Sequence, residues 1–167
     1  MQQTIDSISQ ITAQAKSHVE RYSERLIHLL SFVPDDKLTW TPSPTAKSSL
    51  RIVAHCALTN QFFARVITDT MPDNMPSPEE FFKDLHEAEQ KITTRDSAIA
   101  LLKETTAELS AAICAVNAGS IDSTPRSVFG PMPMLFWLQI GGEHEAGHAG
   151  QIEYQQTIWG DMDNHYS

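Results

Sequence analysis

Apolar residues recur at steps of three and four along four long stretches of this chain. Ile8, Ile11, Ala15, Val19, Tyr22, Leu26, Leu29 and Val33 mark one face of a helix predicted over residues 4–33 and stopped by Pro34-Asp35-Asp36. A turn-rich loop from Trp40 to Ser49 follows, containing Thr41-Pro42-Ser43-Pro44. Ser48 or Ser49 then caps a second helix with Ile52, His55, Leu58, Thr59, Phe62 and Val66 on one face, which ends before Met71-Pro72. Residues 71–93 form a long connection opened by Pro72, Pro76 and Pro78, with a short helix predicted from Glu79 to about Gln90. Thr93, with Asp96 three residues on, resembles a capping signal for a third long helix carrying Ile99, Leu102, Thr106, Leu109, Ile113 and Val116. Asn117-Ala118-Gly119 closes it. The fourth long helix starts near Pro133 and runs to about Trp159-Gly160.

No stretch alternates at the period of a strand, and the chain has no tandem repeat or low-complexity tract. The economical fold is therefore all-α, a four-helix bundle with a long connection between helices 2 and 3, as one domain over residues 1–167. Such bundles build metal sites from side chains on facing helices. At about 100° per residue, Trp137, Gly141, His144, His148, Gln151 and Gln155 fall within roughly 60° of one line on the last helix. Both histidines are thus expected to point inward.

Charge and cysteine usage narrow the function classes. The net charge of -9, from 12 basic and 21 acidic residues, comes without a basic stripe, which argues against nucleic acid as a partner. The longest apolar run, Met132 to Leu138, is broken by Pro133 and falls far short of the roughly 20 residues of a membrane span. Cys56 and Cys114 have no CxxC spacing, and Met1-Gln2-Gln3-Thr4 does not open a signal sequence, so a reduced, cytoplasmic protein is expected. A chain of 167 residues buries enough surface to fold without a metal, so any metal serves function rather than folding.

His144 and His148 are one helical turn apart and can reach one point in space. Seven histidines in 167 residues give about 0.3 such pairs by chance, so the pair needs a further ligand. His55, on the apolar face of the second helix, is the best candidate. The alternative for it is a core histidine bonded to a hydroxyl such as Thr59 or to a backbone carbonyl. Cys56 reads as a small buried residue. Trp40, Phe62, Phe63, Phe136 and Trp137 either line a pocket mouth or fill the core.

Ile52-Val53-Ala54-His55 at the start of helix 2 and His144-Glu145-Ala146-Gly147-His148-Ala149-Gly150-Gln151-Ile152 on the last helix resemble the DinB/YfiT-like metalloenzymes. The resemblance includes the Trp40-Thr41-Pro42 loop and the Trp159-Gly160-Asp161 ending, and it spans nearly the whole chain. It implies a helical bundle binding a divalent metal ion, nickel or zinc above all, through His55, His144 and His148. Gly147 departs from the many relatives with another histidine there, at a position that is not a ligand. The resemblance also implies a homodimer and a small-molecule substrate. Characterised relatives include thiol-dependent S-transferases and a thiol-dependent isomerase, which makes a low-molecular-weight thiol the expected cosubstrate.

Three imidazoles leave coordination positions open, the pattern of catalytic sites. A thiol-dependent transferase is the first expectation and a metal-dependent hydrolase the second; a non-catalytic metal-binding or interaction bundle is the third. Gln151, on the histidine face, is expected to bond a ligand, a water or the substrate, and Glu145 to act as a local base or as an acceptor behind the ligands. His144-Glu145-Ala146-Gly147-His148 also spells the HExxH of zinc proteases. Against proteolysis stand Gln151, where the extended protease motif needs glycine, Glu153 on the opposite side of the helix, and the lack of a strand to pair with a peptide.

Overall fold

Helix starts follow the capping chemistry of the sequence, with small shifts from the expected positions. The computed structural model describes residues 2–165, with side chains from residue 6. It contains α1 (Gln2–Phe32), a 3-10 turn (Asp35–Lys37), α2 (Ser49–Ile67), α3 (Pro78–Gln90), α4 (Arg95–Ala115) and α5 (Met134–Ile158), and no strand among the described residues. Ser48 caps α2 by accepting from the Arg51 amide, while Ser49 is buried and donates instead to Gln155 Oε1 at 2.9 Å. Ser77 and Glu80 form a reciprocal capping box with Pro78 at the first helical position, so α3 starts one residue before Glu79.

The cap of α4 is Thr94 with Ser97, not Thr93 with Asp96. Ile92 packs on the core just beyond the end of α3, and this leaves Thr94, extended at φ -126°, as the residue whose side chain meets the first turn. Arg95 then reaches across to the end of α1. Its guanidinium donates to the Leu30 carbonyl and, at 2.7 Å, to that of Val33, tying the start of α4 to the end of α1.

Helix α1 packs against α4 and α5, α2 packs against the same two, and α3 lies on α2. Because α2 meets all four other helices, its burial extends well beyond the single stripe expected of it. Val53, Ala54, Cys56 and Ala57 are fully buried beside Ile52. The apolar core forms two clusters. One gathers Val19, Phe63, Leu109 and Leu138; the other gathers Leu26, Ala57, Leu102 and Ala149. Buried polar residues fall between them on each of the four long helices: Ser23 on α1, Thr59 and Asn60 on α2, Thr105 and Thr106 on α4, and Glu145 on α5.

The buried side of α5 is turned from the one expected. Trp137, Gly141 and Gln155 are buried as the helical projection requires, but the centre of the stripe is Gly142, Glu145, Ala149 and Ile152. His144 and His148 are only partly buried at its edge, and Gln151 is exposed. The projection centred the inward face on the histidine line, whereas the residues that find partners across the core centre it on Glu145.

Close packing at Gly141 sets the approach of α5 to its neighbours. A Cβ there would stand 2.9 Å from Leu109 Cδ2 and 3.1 Å from Val19 Cγ2. Both side chains are fully buried and have nowhere to retreat. Gly141→Ala is therefore expected to destabilise the protein by about 1–3 kcal/mol despite its better helix propensity, measured by urea unfolding. An unchanged or higher midpoint would show that the helices separate freely.

Candidate metal centre

His55 stands in the second turn of α2, and His144 and His148 lie one turn apart in the middle of α5. Packing of α2 against α5 brings the three rings together. His144 Nε2 is 3.1 Å from His55 Nε2 and 3.2 Å from His148 Nε2. Nitrogens held about 2.1 Å from one ion stand about 3.0 Å apart at a right angle and about 3.4 Å at the tetrahedral angle. The observed spacings fall between those limits.

The far nitrogen of each ring shows which way its proton points. His55 Nδ1 meets the Glu89 carboxylate at 2.8 Å, and His148 Nδ1 meets Gln151 Oε1 at 2.8 Å. Both partners are oxygen acceptors, so each Nδ1 donates and each Nε2 keeps its lone pair. His144 Nδ1 is 3.4 Å from the Thr59 hydroxyl, which itself donates to the His55 carbonyl and can accept from the ring. With the rings so oriented, the three Nε2 atoms turn toward one point that a shared cation would suit. Chemistry and spacing of the donors both fit a divalent ion, with the remaining positions open.

Burial favours the neutral rings. Loss of solvation, followed by the charges of His148 and His55, depresses His144 to about 3, and loss of solvation depresses His148 to about 4. These are ligand-competent forms at neutral pH.

Glu89 is the residue that sequence reasoning missed. It is 1% exposed, in the last turn of α3, and accepts from Lys47 Nζ at 2.6 Å as well as from His55. Burial pushes its carboxyl up, but the hydrogen bonds from His55 and Lys47 together with the lysine charge hold it below its ordinary value. Lys47 is positioned in turn by α5, because Gln155 Nε2 donates to the Lys47 carbonyl at 2.7 Å. A signal was present in the sequence. Phe81, Leu85 and Glu89 follow one another at four-residue steps, so the carboxylate continues an apolar stripe.

Of the expected site residues, the structure brings His55, His144, His148 and Gln151 together and puts Glu145 elsewhere. Glu145 is fully buried, and its carboxylate accepts from Ser23 Oγ at 2.8 Å and Asn60 Nδ2 at 2.7 Å. Those bonds face α1 and α2 across the core, away from the open side of the histidines, so a local base is not the position it occupies. The His55 ring bonds Glu89 rather than the Thr59 hydroxyl or a backbone carbonyl, and the Thr59 hydroxyl goes to the backbone. Glu153 is engaged with Arg25, as its outward position on α5 suggested.

Two spaces open on the histidines. One is a cavity of about 240 Å³ walled by aromatic side chains, with His55 and His144 at one end. Phe62, Phe63, Phe136 and Trp137 line it, whereas Trp40 packs on Trp159 with ring centroids 5.4 Å apart. The other is a groove of about 590 Å³ bounded by Lys47, His148, Gln151 and Tyr154. Gly147 and Gly150 leave its floor bare, for a Cβ at either would meet nothing within 4 Å.

Residues 18–152 match the DinB superfamily. The chain belongs to that family. The solved structure of a DinB-like protein, YjoA of Bacillus subtilis, shares the fold at a TM-score of 0.64 and 18% identity, over 90% of this chain and 94% of that one. No curated protein matches the sequence. Among the described residues, no helix of this DinB-family protein is long and apolar enough to cross a membrane.

Acid should weaken the metal-free protein. The unfolded chain protonates His144 and His148 near 6.5, the folded one only near 3 and 4, so each favours unfolding as pH falls below 6.5. Glu145 works the other way: burial raises it from 4.5 to about 7, and the folded state gains from its proton as pH falls through that window. Two histidines outweigh one carboxyl, giving a net loss on the order of 1–3 kcal/mol between pH 6.5 and 4.5, read by urea unfolding of chelator-treated protein. Glu89→Gln keeps the shape of the acceptor and removes its charge. Zinc affinity measured by competition with a chromophoric chelator is expected to drop roughly 10- to 100-fold.

Proposed function

We propose that this DinB-family protein is a metal-dependent enzyme acting on a small molecule, with His55, His144 and His148 as ligands and thiol transfer to an electrophile as its reaction. The observation that carries the reading is the set of three Nε2 lone pairs turned to one point by separate partners on their far nitrogens. The family supports a four-helix bundle as scaffold, with the stretch between α2 and α4 supplying α3 and its carboxylate. A divalent ion bound there, nickel or zinc, supplies a Lewis acid that makes a thiol or a water nucleophilic at neutral pH.

The protein's own residues supply the rest. Glu89 and Gln151 hold His55 and His148 in the tautomer that ligates, and Lys47 keeps Glu89 ionised. The groove beside His148 has room for a small polar thiol, with the Gln151 amide and the Lys47 main chain along its wall. The aromatic cavity lies beside the other two histidines and excludes water from the electrophile. In the transfer, a carbon–sulfur bond forms as the bond to the leaving group breaks, and the thiol proton goes to solvent.

The same three ligands activate water equally well, and the solvent-facing groove at His148 favours hydrolysis as the second reading. Proteolysis has no such support, because the Glu145 carboxylate that would serve as base is spent on Ser23 and Asn60.

Metal analysis of protein purified without an affinity tag is expected to find one divalent ion per chain, lost in His55→Ala. Conjugation of a small thiol such as glutathione or cysteine to 1-chloro-2,4-dinitrobenzene should depend on that ion. It should fall at least 100-fold in the folded His55→Ala, His144→Ala double variant, as expected when a catalytic metal is removed. Full metal content or full turnover in the double variant would defeat the assignment.

A further inference from the structure

Six of the chain's seven phenylalanines, Phe62, Phe63, Phe81, Phe82, Phe129 and Phe136, line the single cavity of about 240 Å³ that ends on His55 and His144. They come from α2, α3, α5 and the segment before α5, four separate pieces of chain. Phe62 is the hub, with ring centroids 4.7 Å from Phe81, 6.0 Å from Phe129 and 6.1 Å from Trp137. Convergence of this kind is not explained by core filling alone. Phe82, Phe129 and Phe136 are 55%, 40% and 39% exposed, so the aromatic wall continues out to solvent and forms a mouth.

The wall offers almost nothing for a polar ligand to bond. The Trp137 indole N–H is already committed to the Met132 carbonyl, and the Thr59 hydroxyl to the backbone of its own helix. A charged or strongly hydrated group entering here would lose its water without replacement. Among the described residues lining it, the exception is the histidines, where His144 sits edge-on to Phe63 at 5.7 Å and presents its Nε2 to His55 and His148.

We infer that this cavity is the binding site for the apolar half of the substrate, and that this half is an aromatic hydrocarbon group of one or two fused rings. Size sets the limit. An apolar cavity of about 150 Å³ takes up benzene, and one of about 240 Å³ has room for a bicyclic ring but not for a larger polycycle. Ring walls recognise a flat aromatic by offset and edge-to-face contact, which distinguishes it from a hydrated aliphatic of equal volume. The reacting atom of such a molecule is the one nearest the His55–His144 end. The inference rests on reading the histidines as the reacting centre of a small-molecule site, but ring binding itself needs no metal.

Naphthalene is the probe, added to the chelator-treated full chain while Trp137 fluorescence is followed with excitation on the red edge of indole absorption. Trp40 and Trp159 pack on each other away from the cavity, and a Trp137→Phe variant identifies the responding residue. Saturable binding at one site per chain is expected. A Phe82→Asp, Phe129→Asp double variant puts carboxylates at the exposed rim, where folding tolerates them, and should weaken binding roughly tenfold or more. Phe32→Asp, at another exposed phenylalanine outside the cavity, should leave affinity unchanged.

Absence of saturation up to the solubility of naphthalene overturns the inference, as does equal affinity in the rim variant or equal loss in Phe32→Asp. Sedimentation runs alongside. Should the wild type be a dimer that excludes naphthalene and the rim variant a monomer, a second copy of the chain covers the cavity and the inference fails. Naphthalene binding by a protein that carries no divalent ion before chelation and takes none up afterwards would uphold the cavity while defeating the histidine centre, and metal uptake without naphthalene binding would do the opposite.

Discussion

A carboxylate buried at the crossing of four helices governs the arrangement of everything else. Glu145 accepts from Ser23 of α1 and Asn60 of α2, and Ser23 shares a 2.7 Å hydrogen bond with Thr106 of α4. One residue from each long helix thus meets in a layer between two apolar clusters. Apart from Asn60 Oδ1, which has no partner among the described residues, these groups satisfy one another, and because buried polar groups are costly when unpaired the helices have little freedom to rotate or slide without breaking the layer. Burial pushes the Glu145 carboxyl up to about 7, a measure of how dry the layer is.

This constraint fixes the azimuth of α5 and therefore the histidines. With Glu145 turned to the core, His144 and His148 fall on the flank that faces α2, where His55 waits one layer up from Asn60 on the same helix. Gly141 permits the close approach, lying against Leu109 and Val19. Fold and site share one set of contacts. The HExxH-like run thus divides its labour: the glutamate organises the core, and the two histidines face outward from it.

A second chain of contacts holds the histidines from behind. Gln155 binds the Lys47 carbonyl, Lys47 binds Glu89, and Glu89 binds His55, so α5, the loop before α2 and α3 all act on one imidazole. Glu89 stays ionised although fully buried because two donors replace its water. The side of the centre nearer α3 is apolar and aromatic, while the side nearer Lys47 and Gln151 is polar and open. Two chemically different spaces therefore meet at one set of nitrogens.

Periodicity of apolar residues was enough to delimit the helices to within a few residues, because caps such as Ser48 and breakers such as Pro34 act locally. The His144–His148 spacing and its likeness to a known family pointed to three ligands, since a helical turn is a local ruler too. What a single helix cannot reveal is which of its faces wins burial. The projection put both histidines inward and gave Glu145 no place in the core, and the partners that bury it, Ser23, Asn60 and Thr106, are 39 to 122 residues away. Glu89 was hidden for the same reason: an acidic residue at a helix end looks solvated until α3 is seen lying on α2. The gathering of six phenylalanines from four segments likewise exists only in three dimensions. The chain alone determined the helices and the donor types; only packing decided which buried charge the core would tolerate and where the open space would lie.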